Sequence, residues 1–469
     1  MLTNTKKIQI GSAVLFAITC WFSLGFRHGD EHYQIFEFAR YFAGLNTSMA
    51  MAWEFVTQMR PAIQPLLTFL GIKFLDGIGF SDPFFQAFCF RLVSAGLLFY
   101  SINIFVKKDS ELGSTYLLFF MLFFCLTPYI GARYSSEGMA VPFFVLMIAK
   151  SRELKGSKDF LVLGLLAGLT FAFRYQMAFA LIGLGVWYLL NRGFKMKEIG
   201  MILLGFFSVF IGSTLLDRLF YGNWVCAPFN YFYQNIVLNK ASNYGVDPWY
   251  AYFLKLLKEG FWLPGLFVLL SFCYYTFKRP KDILTLSVWF FLIGHMLVAH
   301  KEARFMLPIV PLIPYFVWFA IQDIRPKQVQ KVALFIMLCA NFILLWPASF
   351  LPASQEMAIL KYLEQVYEPN EFTLFYKDEN NPYNDYALRN NFYGRKFPKE
   401  FSQDSISPNS IEVPAVWISY SCNEDGKEIG AYKLRKIKQS WPEFVTNHFN
   451  FNNWTSRTSI LTLYSLEEK

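Results

Sequence analysis

The feature that most restricts the possible folds of this chain is an uncharged apolar run at residues 8–26. A helix of that length rises roughly 28 Å, which is enough to cross the hydrocarbon core of a bilayer. Two adjacent carboxylates, Asp30 and Glu31, and two histidines follow directly. They therefore lie where the chain is expected to leave the membrane, although a solvated helix end would carry charges as well.

The remainder of the chain is similarly apolar. Of its 469 residues, 55% are hydrophobic and 54 are Phe, and the mean hydropathy is +0.31. A soluble protein of this size has too little interior for so many Phe side chains, so the composition predicts an all-α polytopic membrane protein. The net charge of +9 does not indicate a nucleic-acid partner, because Lys and Arg fall mostly in short loops between apolar runs.

Charges in these loops predict the topology. Lys6 and Lys7 place the N-terminus on the inner side of the membrane. Residues 61–80 are apolar but interrupted by Gly, Lys and Asp. If this segment crosses the membrane, every later loop lies on the opposite side from where it lies if the segment does not cross. If they lie along the membrane surface, five basic loops are on the inner side, whereas spanning would put all five outside. The positive-inside rule therefore predicts an interfacial segment. The five loops are at residues 107–108, 150–158, 192–197, 278–281 and 325–331.

About eleven membrane spans result from this assignment. A large first outer loop with interfacial helices follows the first span. From about residue 351 the composition becomes polar, with short β-like runs, which predicts a membrane domain over residues 1–350 and a small α/β domain on the outer face over residues 351–469. The predicted spans are residues 8–26, 84–106, 114–130, 137–150, 159–173, 177–190, 198–217, 251–277, 282–299, 304–322 and 331–350.

Under this topology the outer ends of the spans combine acids with arginines and aromatic residues, whereas the inner loops are mainly basic. Arg and Lys bind phosphate by charge and N–H geometry, and a carboxylate can take a proton from a sugar hydroxyl. Local ion pairs and interfacial aromatic residues are the structural alternatives. The candidates are Asp30, Glu31, Trp53, Glu54, Arg91, Arg133, Arg174, Tyr244, Trp249, His300, Lys301 and Arg304.

In this order the residues resemble glycosyltransferase family 22, the polyprenyl- or dolichyl-phosphate-mannose-dependent mannosyltransferases. Residues 28–34 are similar to the family's His-Pro-Asp-Glu-x-x-Gln sequence, with Gly29 in place of the proline. The likeness covers nearly all of the membrane part, and the C-terminal domain resembles the family only faintly. The other matching stretches are Trp53-Glu54 with Arg60, residues 132–137, Phe173-Arg174, residues 217–224, Tyr244-Gly245 with Pro248-Trp249 and Tyr252, and His300-Lys301-Glu302-Ala303-Arg304-Phe305.

The resemblance implies a GT-C membrane fold and an inverting transfer of mannose from a polyprenyl-phosphate-mannose donor to a glycan or glycolipid acceptor on the outer face. It implies that Asp30 is catalytic, with Glu31 as the rival base. A polyprenyl phosphate is a good leaving group, so one base and a cationic clamp suffice, and we expect neither a metal nor a cofactor. The clamp candidates are Arg91, Arg133, Arg174, His300, Lys301 and Arg304, and the candidates for sugar or acceptor binding are Trp53, Glu54, Tyr244 and Trp249.

Other functions stay open from the sequence. The same fold can transfer a different lipid-linked sugar, such as glucose or an aminopentose. A lipid-linked-glycan flippase or transporter would carry charges along a path through the membrane, whereas here they collect at one face. Short loops favour a bacterial inner membrane with the active site facing the periplasm, and the endoplasmic reticulum membrane is the alternative.

Overall fold

The computed structural model describes residues 3–109, 111–376, 381–385, 388–403 and 414–468, and it is mostly helical with a small C-terminal sheet. The helices are α1 Asn4–Phe22, α2 Gly29–Tyr33, α3 Phe36–Phe42, α4 Trp53–Val56, α5 Ile63–Gly77, α6 Pro83–Lys108, α7 Thr115–Leu122, α8 Leu126–Gly131, α9 Ser136–Ser151, α10 Ser157–Phe173, α11 Ala178–Arg192, α12 Met196–Tyr221, α13 Ala227–Phe232, α14 Ala251–Glu259, α15 Leu263–Lys278, α16 Ile283–Leu297, α17 Ile313–Asp323, α18 Lys327–Phe350, α19 Gln355–Val366 and α20 Glu443–His448. Short 3-10 turns connect several of them.

Three helical stretches within the described residues are long and apolar enough to cross a bilayer. They are α6, α12 and residues 327–366, whose apolar part is α18, and their mean hydropathy lies between 1.7 and 2.2. Most side chains of α12 and α18 are not buried against protein. Such exposure is expected of helices that face lipid, since lipid tails are as apolar as Leu. The predicted count of eleven spans stays a prediction.

Several predicted spans are not single helices. The stretch 114–130 divides into α7 and α8, and 251–277 divides into α14 and α15. The stretch 304–322 begins with two 3-10 turns before α17. Prolines explain this last break, because Pro308, Pro311 and Pro314 each lack the N–H that a continuous helix needs. Backbone of this kind is tolerated at membrane depth where it is covered by protein or lines a cavity.

Glycine permits a close contact between α10 and α12. A Cβ atom on Gly164 would lie 2.1 Å from the carbonyl oxygen of Ile202, and one on Gly205 would lie 2.4 Å from that of Leu161. Any side chain at either position would push the two backbones apart. Small residues hold membrane helices together in this way because the hydrophobic effect does not act between helices in lipid.

Contacts between Cα atoms divide the chain into two compact units. The first unit comprises Met1–Cys20, Thr57–Leu67 and Phe90–Ser349, and the second comprises Trp21–Val56, Thr68–Cys89 and Phe350–Lys469. The C-terminal residues thus belong to the same unit as most of the segment between α1 and α6. The predicted domain boundary after residue 350 stays a prediction.

The C-terminal part contains a mixed six-stranded sheet in the order β4-β1-β5-β8-β7-β6. Strand β1 pairs in parallel with β4 and β5, and β8 pairs antiparallel with β5 and β7. Its core contains Phe372, Leu374, Val416 and Leu463, all fully buried. The strands are β1 Thr373–Tyr376, β2 Asn384–Asp385, β3 Leu388–Arg389, β4 Glu400–Gln403, β5 Ala415–Ser419, β6 Glu428–Ile429, β7 Tyr432–Gln439 and β8 Thr462–Glu468, where β2 and β3 form a separate pair.

The side of the membrane on which the loops lie can be tested at the end of α6. Segment 61–80 forms α5, and the five basic loops lie on the inner side of the membrane only if this helix does not cross it. We therefore expect α5 to lie along the surface and Lys108 to be cytoplasmic. In a Lys108→Cys variant, an impermeant thiol reagent added from outside should label position 108 only after the membrane is opened. Labelling of that position in intact vesicles or cells would contradict the topology.

Candidate active site

Asp30 lies on α2, a five-residue helix in the second unit. His28 caps the helix, and its Nδ1 accepts a hydrogen bond from the Asp30 backbone N–H at 3.2 Å. Every residue from 29 to 39 is buried except Asp30, whose side chain is 33% exposed. The local packing therefore leaves this carboxylate accessible while its neighbours are covered.

Glu31, the rival base, has a different environment. It is 6% exposed, and its Oε2 accepts a hydrogen bond from the Arg27 backbone N–H at 3.1 Å. Glu54 at the start of α4 is also buried, and its Oε1 accepts from Gln34 Nε2 at 3.0 Å. The adjacent Trp53 is half-buried. Within this unit, Gln34 thus joins the Asp-Glu stretch to the Trp-Glu stretch.

In the first unit, Arg174 and Glu137 form a buried ion pair. Their side chains are 4% and 6% exposed, and Arg174 Nη1 lies 2.7 Å from Glu137 Oε1. The same nitrogen donates to the Ser136 hydroxyl at 3.2 Å, and the guanidinium lies over the ring of Phe305. Through Arg174, Ser136 and Glu137 of the matching stretch 132–137 are therefore brought close to Phe305, in the loop that follows α16.

That loop carries the His300-Lys301-Glu302 sequence and Arg304. His300 Nε2 lies 2.9 Å from Glu302 Oε1, and Arg304 forms a hydrogen-bonded ion pair with the same carboxylate. Arg304 also stacks on Phe305, 5.2 Å from the ring centroid. Glu302 is thus shared by His300 and Arg304, and it fixes the direction of the arginine.

Lys301 is directed into the protein and is 2% exposed. Its ammonium donates to the backbone carbonyls of Asp247, Val298 and Ala299 at 3.0, 2.6 and 3.4 Å. Burial lowers the pKa of Lys301 below its ordinary value. An ammonium has three N–H donors, and each of them has a carbonyl partner here. Because one of these carbonyls belongs to Asp247, Lys301 joins its own loop to the segment before α14.

Arg91 and Arg133 are buried at 4% and 5% exposure. Arg91 Nε donates to the Cys20 carbonyl at 2.9 Å and so joins α6 to the end of α1. Arg133 lies over the ring of Tyr129, and its Nη1 is 3.4 Å from the Tyr129 hydroxyl. Of these two arginines, Arg133 lines the cavity described next.

The first unit contains a cavity of about 430 Å³ with a predominantly apolar lining. Its walls come from α7, α8, α14, α15, α16, α17 and α18, and from the irregular stretch 303–310. The breaks between α7 and α8 and between α14 and α15 both line it, as expected of interrupted membrane helices. Its few polar lining residues include Tyr129, Arg133, Tyr252, Lys255, Glu259, Arg304 and Asn341.

Sequence reasoning did not assign Tyr252, Lys255 or Glu259 to the site. The available signal was that Lys255 and Glu259 are charged residues inside a predicted span. The predicted aromatic candidates Tyr244 and Trp249 are 60% and 62% exposed and do not line the cavity. Tyr244 lies near His300, with ring centroids 5.9 Å apart.

The sequence of the chain matches the model of the Alg9-like mannosyltransferase family over residues 12–382. The chain belongs to the Alg9-like mannosyltransferase family. The predictions of an enzyme and of a family-22 mannosyltransferase are confirmed at this level.

Relatives of this Alg9-like protein include GPI mannosyltransferase 3 from Candida albicans, 27% identical over 69% of the chain and 67% of the relative. Mannosyltransferase APTG1 from Arabidopsis thaliana is 29% identical over 62% of the chain and 54% of the relative. Human GPI alpha-1,2-mannosyltransferase 3 is 28% identical over 33% of the chain and 27% of the relative. The matched region is thus about half or less of the last two relatives.

Among solved structures, ArnT from Cupriavidus metallidurans bound to undecaprenyl phosphate superposes with a TM-score of 0.54 at 11% identity, covering 99% of this chain and 98% of that one. The apo state of ArnT gives 0.52 at 10% identity. At this identity the match shows the fold alone. The Alg9-like chain therefore has a GT-C type membrane-protein fold.

Proposed function

We propose that the chain transfers mannose from a polyprenyl-phosphate-mannose donor to a glycolipid acceptor on the outer face of the membrane. The observation that carries this proposal is the apolar cavity of the first unit, whose lining includes Arg133 and Arg304. An apolar chain and an anionic head group are the two parts of a lipid phosphate, and the cavity offers a surface for each.

The apolar part of the lining suits a polyprenyl chain. The lining is predominantly apolar and includes many Phe and Leu side chains from several helices. An isoprenoid segment bound there would therefore be in contact with apolar surface along its length. The ArnT structure with a similar fold was solved with undecaprenyl phosphate, which supports the same ligand class here.

The arginines suit the phosphate. Guanidinium groups bind phosphate oxygens through paired N–H donors, and they do so more strongly where water is excluded. Glu302 and Phe305 orient Arg304, and Tyr129 contacts Arg133. When the donor bond breaks, the leaving phosphate gains negative charge, which these cations stabilise.

Lys301 has a different part in this proposal. Because its ammonium donates to three backbone carbonyls, we assign it to holding the loop that carries Arg304. The predictions that Lys301, His300, Arg91 and Arg174 bind donor phosphate stay predictions.

Asp30 is the proposed general base. Its carboxylate accepts the proton of the acceptor hydroxyl while the hydroxyl oxygen attacks the anomeric carbon of mannose. The bond between that carbon and the phosphate oxygen breaks, and polyprenyl phosphate leaves with inversion at the carbon. The partial exposure of Asp30, against the buried Glu31, supports this choice.

The choice of a glycolipid acceptor is supported by the relatives alone. The human relative is named GPI alpha-1,2-mannosyltransferase 3, and we extend the acceptor class in that name to the present chain. A bacterial inner membrane with a periplasmic site stays our proposal, and an endoplasmic reticulum membrane with a lumenal site is the alternative.

The function is tested by supplying radiolabelled polyprenyl-phosphate-mannose to membranes with and without the chain. A labelled glycolipid that forms only with the chain is the expected result. Polyprenyl-phosphate-glucose, supplied at the same concentration, is the control donor that tests whether the transferred sugar is mannose. Transfer of glucose in preference to mannose would replace the donor in the proposal, and movement of labelled lipid between leaflets without transfer would indicate a flippase.

A further inference from the structure

The first outer loop contains a buried carboxylate that the sequence did not single out. Glu37 on α3 is 1% exposed. Its Oε1 accepts hydrogen bonds from His32 Nε2 at 2.9 Å and from the Phe392 backbone N–H at 2.8 Å, and its Oε2 accepts from Asn46 Nδ2 at 2.6 Å. Three donors thus converge on one side chain.

Glu37 is held there as an anion. Burial by itself raises the pKa of a carboxyl group, but the hydrogen bonds from His32, Asn46 and Phe392 outweigh it, and the pKa of Glu37 lies below its ordinary value. A buried charge is tolerated only where its partners are fixed, because removing one partner leaves the charge uncompensated. The partners of Glu37 are therefore tied to one another through it.

Two of these partners are far apart in sequence. His32 is on α2, two residues after Asp30, whereas Phe392 lies in the C-terminal part, 355 residues from Glu37. The His32 ring stacks on the rings of Phe26 and Tyr393, with centroids 4.8 and 5.4 Å away.

A neighbouring contact joins the same two regions. The Tyr33 hydroxyl donates to the Leu388 carbonyl at 3.1 Å. The C-terminal residues 388–393 consequently bind α2 through both His32 and Tyr33.

Helix α2 depends on this support. It has five residues, and isolated helices shorter than about 12 residues are marginal in water. Its direction, and with it the direction of the Asp30 carboxylate, is therefore set by side-chain packing and by the hydrogen bonds around Glu37.

We propose that Glu37 is a positioning residue for the transfer reaction, joining the C-terminal residues 388–393 to α2 so that Asp30 keeps its orientation. The proposal rests on the proposed role of Asp30 as general base. It gives the C-terminal part a role in catalysis that does not require it to touch a substrate.

The test uses Glu37→Gln in the full-length chain. Glutamine keeps the shape of the side chain but has one acceptor oxygen in place of two. Its NH₂ group would therefore face one of the N–H donors that now bind the carboxylate, and that hydrogen bond would be lost. A displacement of about 1 Å can cost roughly 100-fold in rate. We therefore expect kcat to fall by about 10- to 100-fold with little change in donor KM, and Glu37→Asp, which keeps the charge, to recover part of the rate.

Glu364→Gln is the matched control. The Glu364 carboxylate accepts from the backbone N–H groups of Arg395 and Lys396 at 2.9 to 3.1 Å, so it binds the same C-terminal stretch but not α2. The kcat of the Glu364→Gln variant should remain close to that of the unchanged chain. Equal losses of kcat in the two variants would indicate general loosening of the fold and would overturn the proposal.

Amide hydrogen exchange gives a second readout that does not require activity. In Glu37→Gln, the amides of residues 29–34 should exchange faster, whereas in Glu364→Gln they should keep their protection. Unchanged exchange at residues 29–34 in Glu37→Gln would reject the positioning role, whatever the rate of transfer. If the unchanged chain transfers no mannose, the proposed function fails, and the exchange result still decides whether Glu37 holds α2.

Discussion

Replacing Asp30 by Asn is expected to reduce mannose transfer by about 100-fold or more, because the amide keeps the shape of the side chain but does not accept a proton. Asp30 is the accessible residue in an otherwise buried stretch, so the substitution exchanges one polar group for another without opening a core. Donor binding should change little, since the proposed phosphate contacts are at Arg133 and Arg304. Single-turnover transfer and donor binding, measured on the same preparation, check both parts.

Two controls make the Asp30 result specific. Glu31→Gln addresses the rival base, and it should cost less because Glu31 is buried and bonded to the Arg27 backbone. Asp82→Asn is the same chemical change at the start of α6, where the side chain accepts from the Phe85 backbone N–H and Asn caps a helix about as well as Asp. Near-normal turnover in Asp30→Asn with an inactive Glu31→Gln would move the base to Glu31.

The second large effect is expected at Arg304. Arg304→Ala should raise the donor KM by about 10- to 100-fold, because a hydrogen bond to a charged group contributes about 1.5 to 3 kcal/mol. Arg304 is among the residues that line the apolar cavity, and its guanidinium is oriented by Glu302. Initial rates over a range of polyprenyl-phosphate-mannose concentrations measure the effect.

The chain offers a close match for this substitution. Arg192 also pairs with a glutamate, Glu198, at 3.1 Å and lies 5.1 Å from the ring centroid of Phe160, but it does not line the cavity. Arg192→Ala therefore removes the same kinds of contact away from the proposed lipid site. A donor KM that is unchanged in Arg304→Ala, or raised equally in both variants, would remove Arg304 from the proposed clamp.

The sequence by itself determined the class of protein and its family. Apolar runs, basic loops and the residues from His28 to Gln34 and from His300 to Phe305 predicted a helical membrane glycosyltransferase, because helix formation and membrane insertion depend on local composition. The short β-like runs predicted after residue 351 also agree with the presence of a C-terminal sheet that contains β1, β5 and β8. Helices, strands and short motifs of this kind depend on local sequence, so they can be predicted without knowing which distant segments pack together.

The tertiary structure decided what each site residue contacts. Asp30 and Glu31 are adjacent carboxylates in the sequence, and nothing local separates them. In the folded chain Glu31 is buried, whereas the Asp30 side chain is 33% exposed. Lys301 and Arg304 were equivalent cations in the sequence, but backbone carbonyls surround the first and the cavity adjoins the second.

Other features depend on contacts between distant segments. The cavity needs breaks in three predicted spans to face one another, and Glu37 acquires its partner Phe392 across 355 residues. Burial and hydrogen-bond partners of this kind arise only when the chain folds, since they depend on which distant segments pack together and not on the composition of either one.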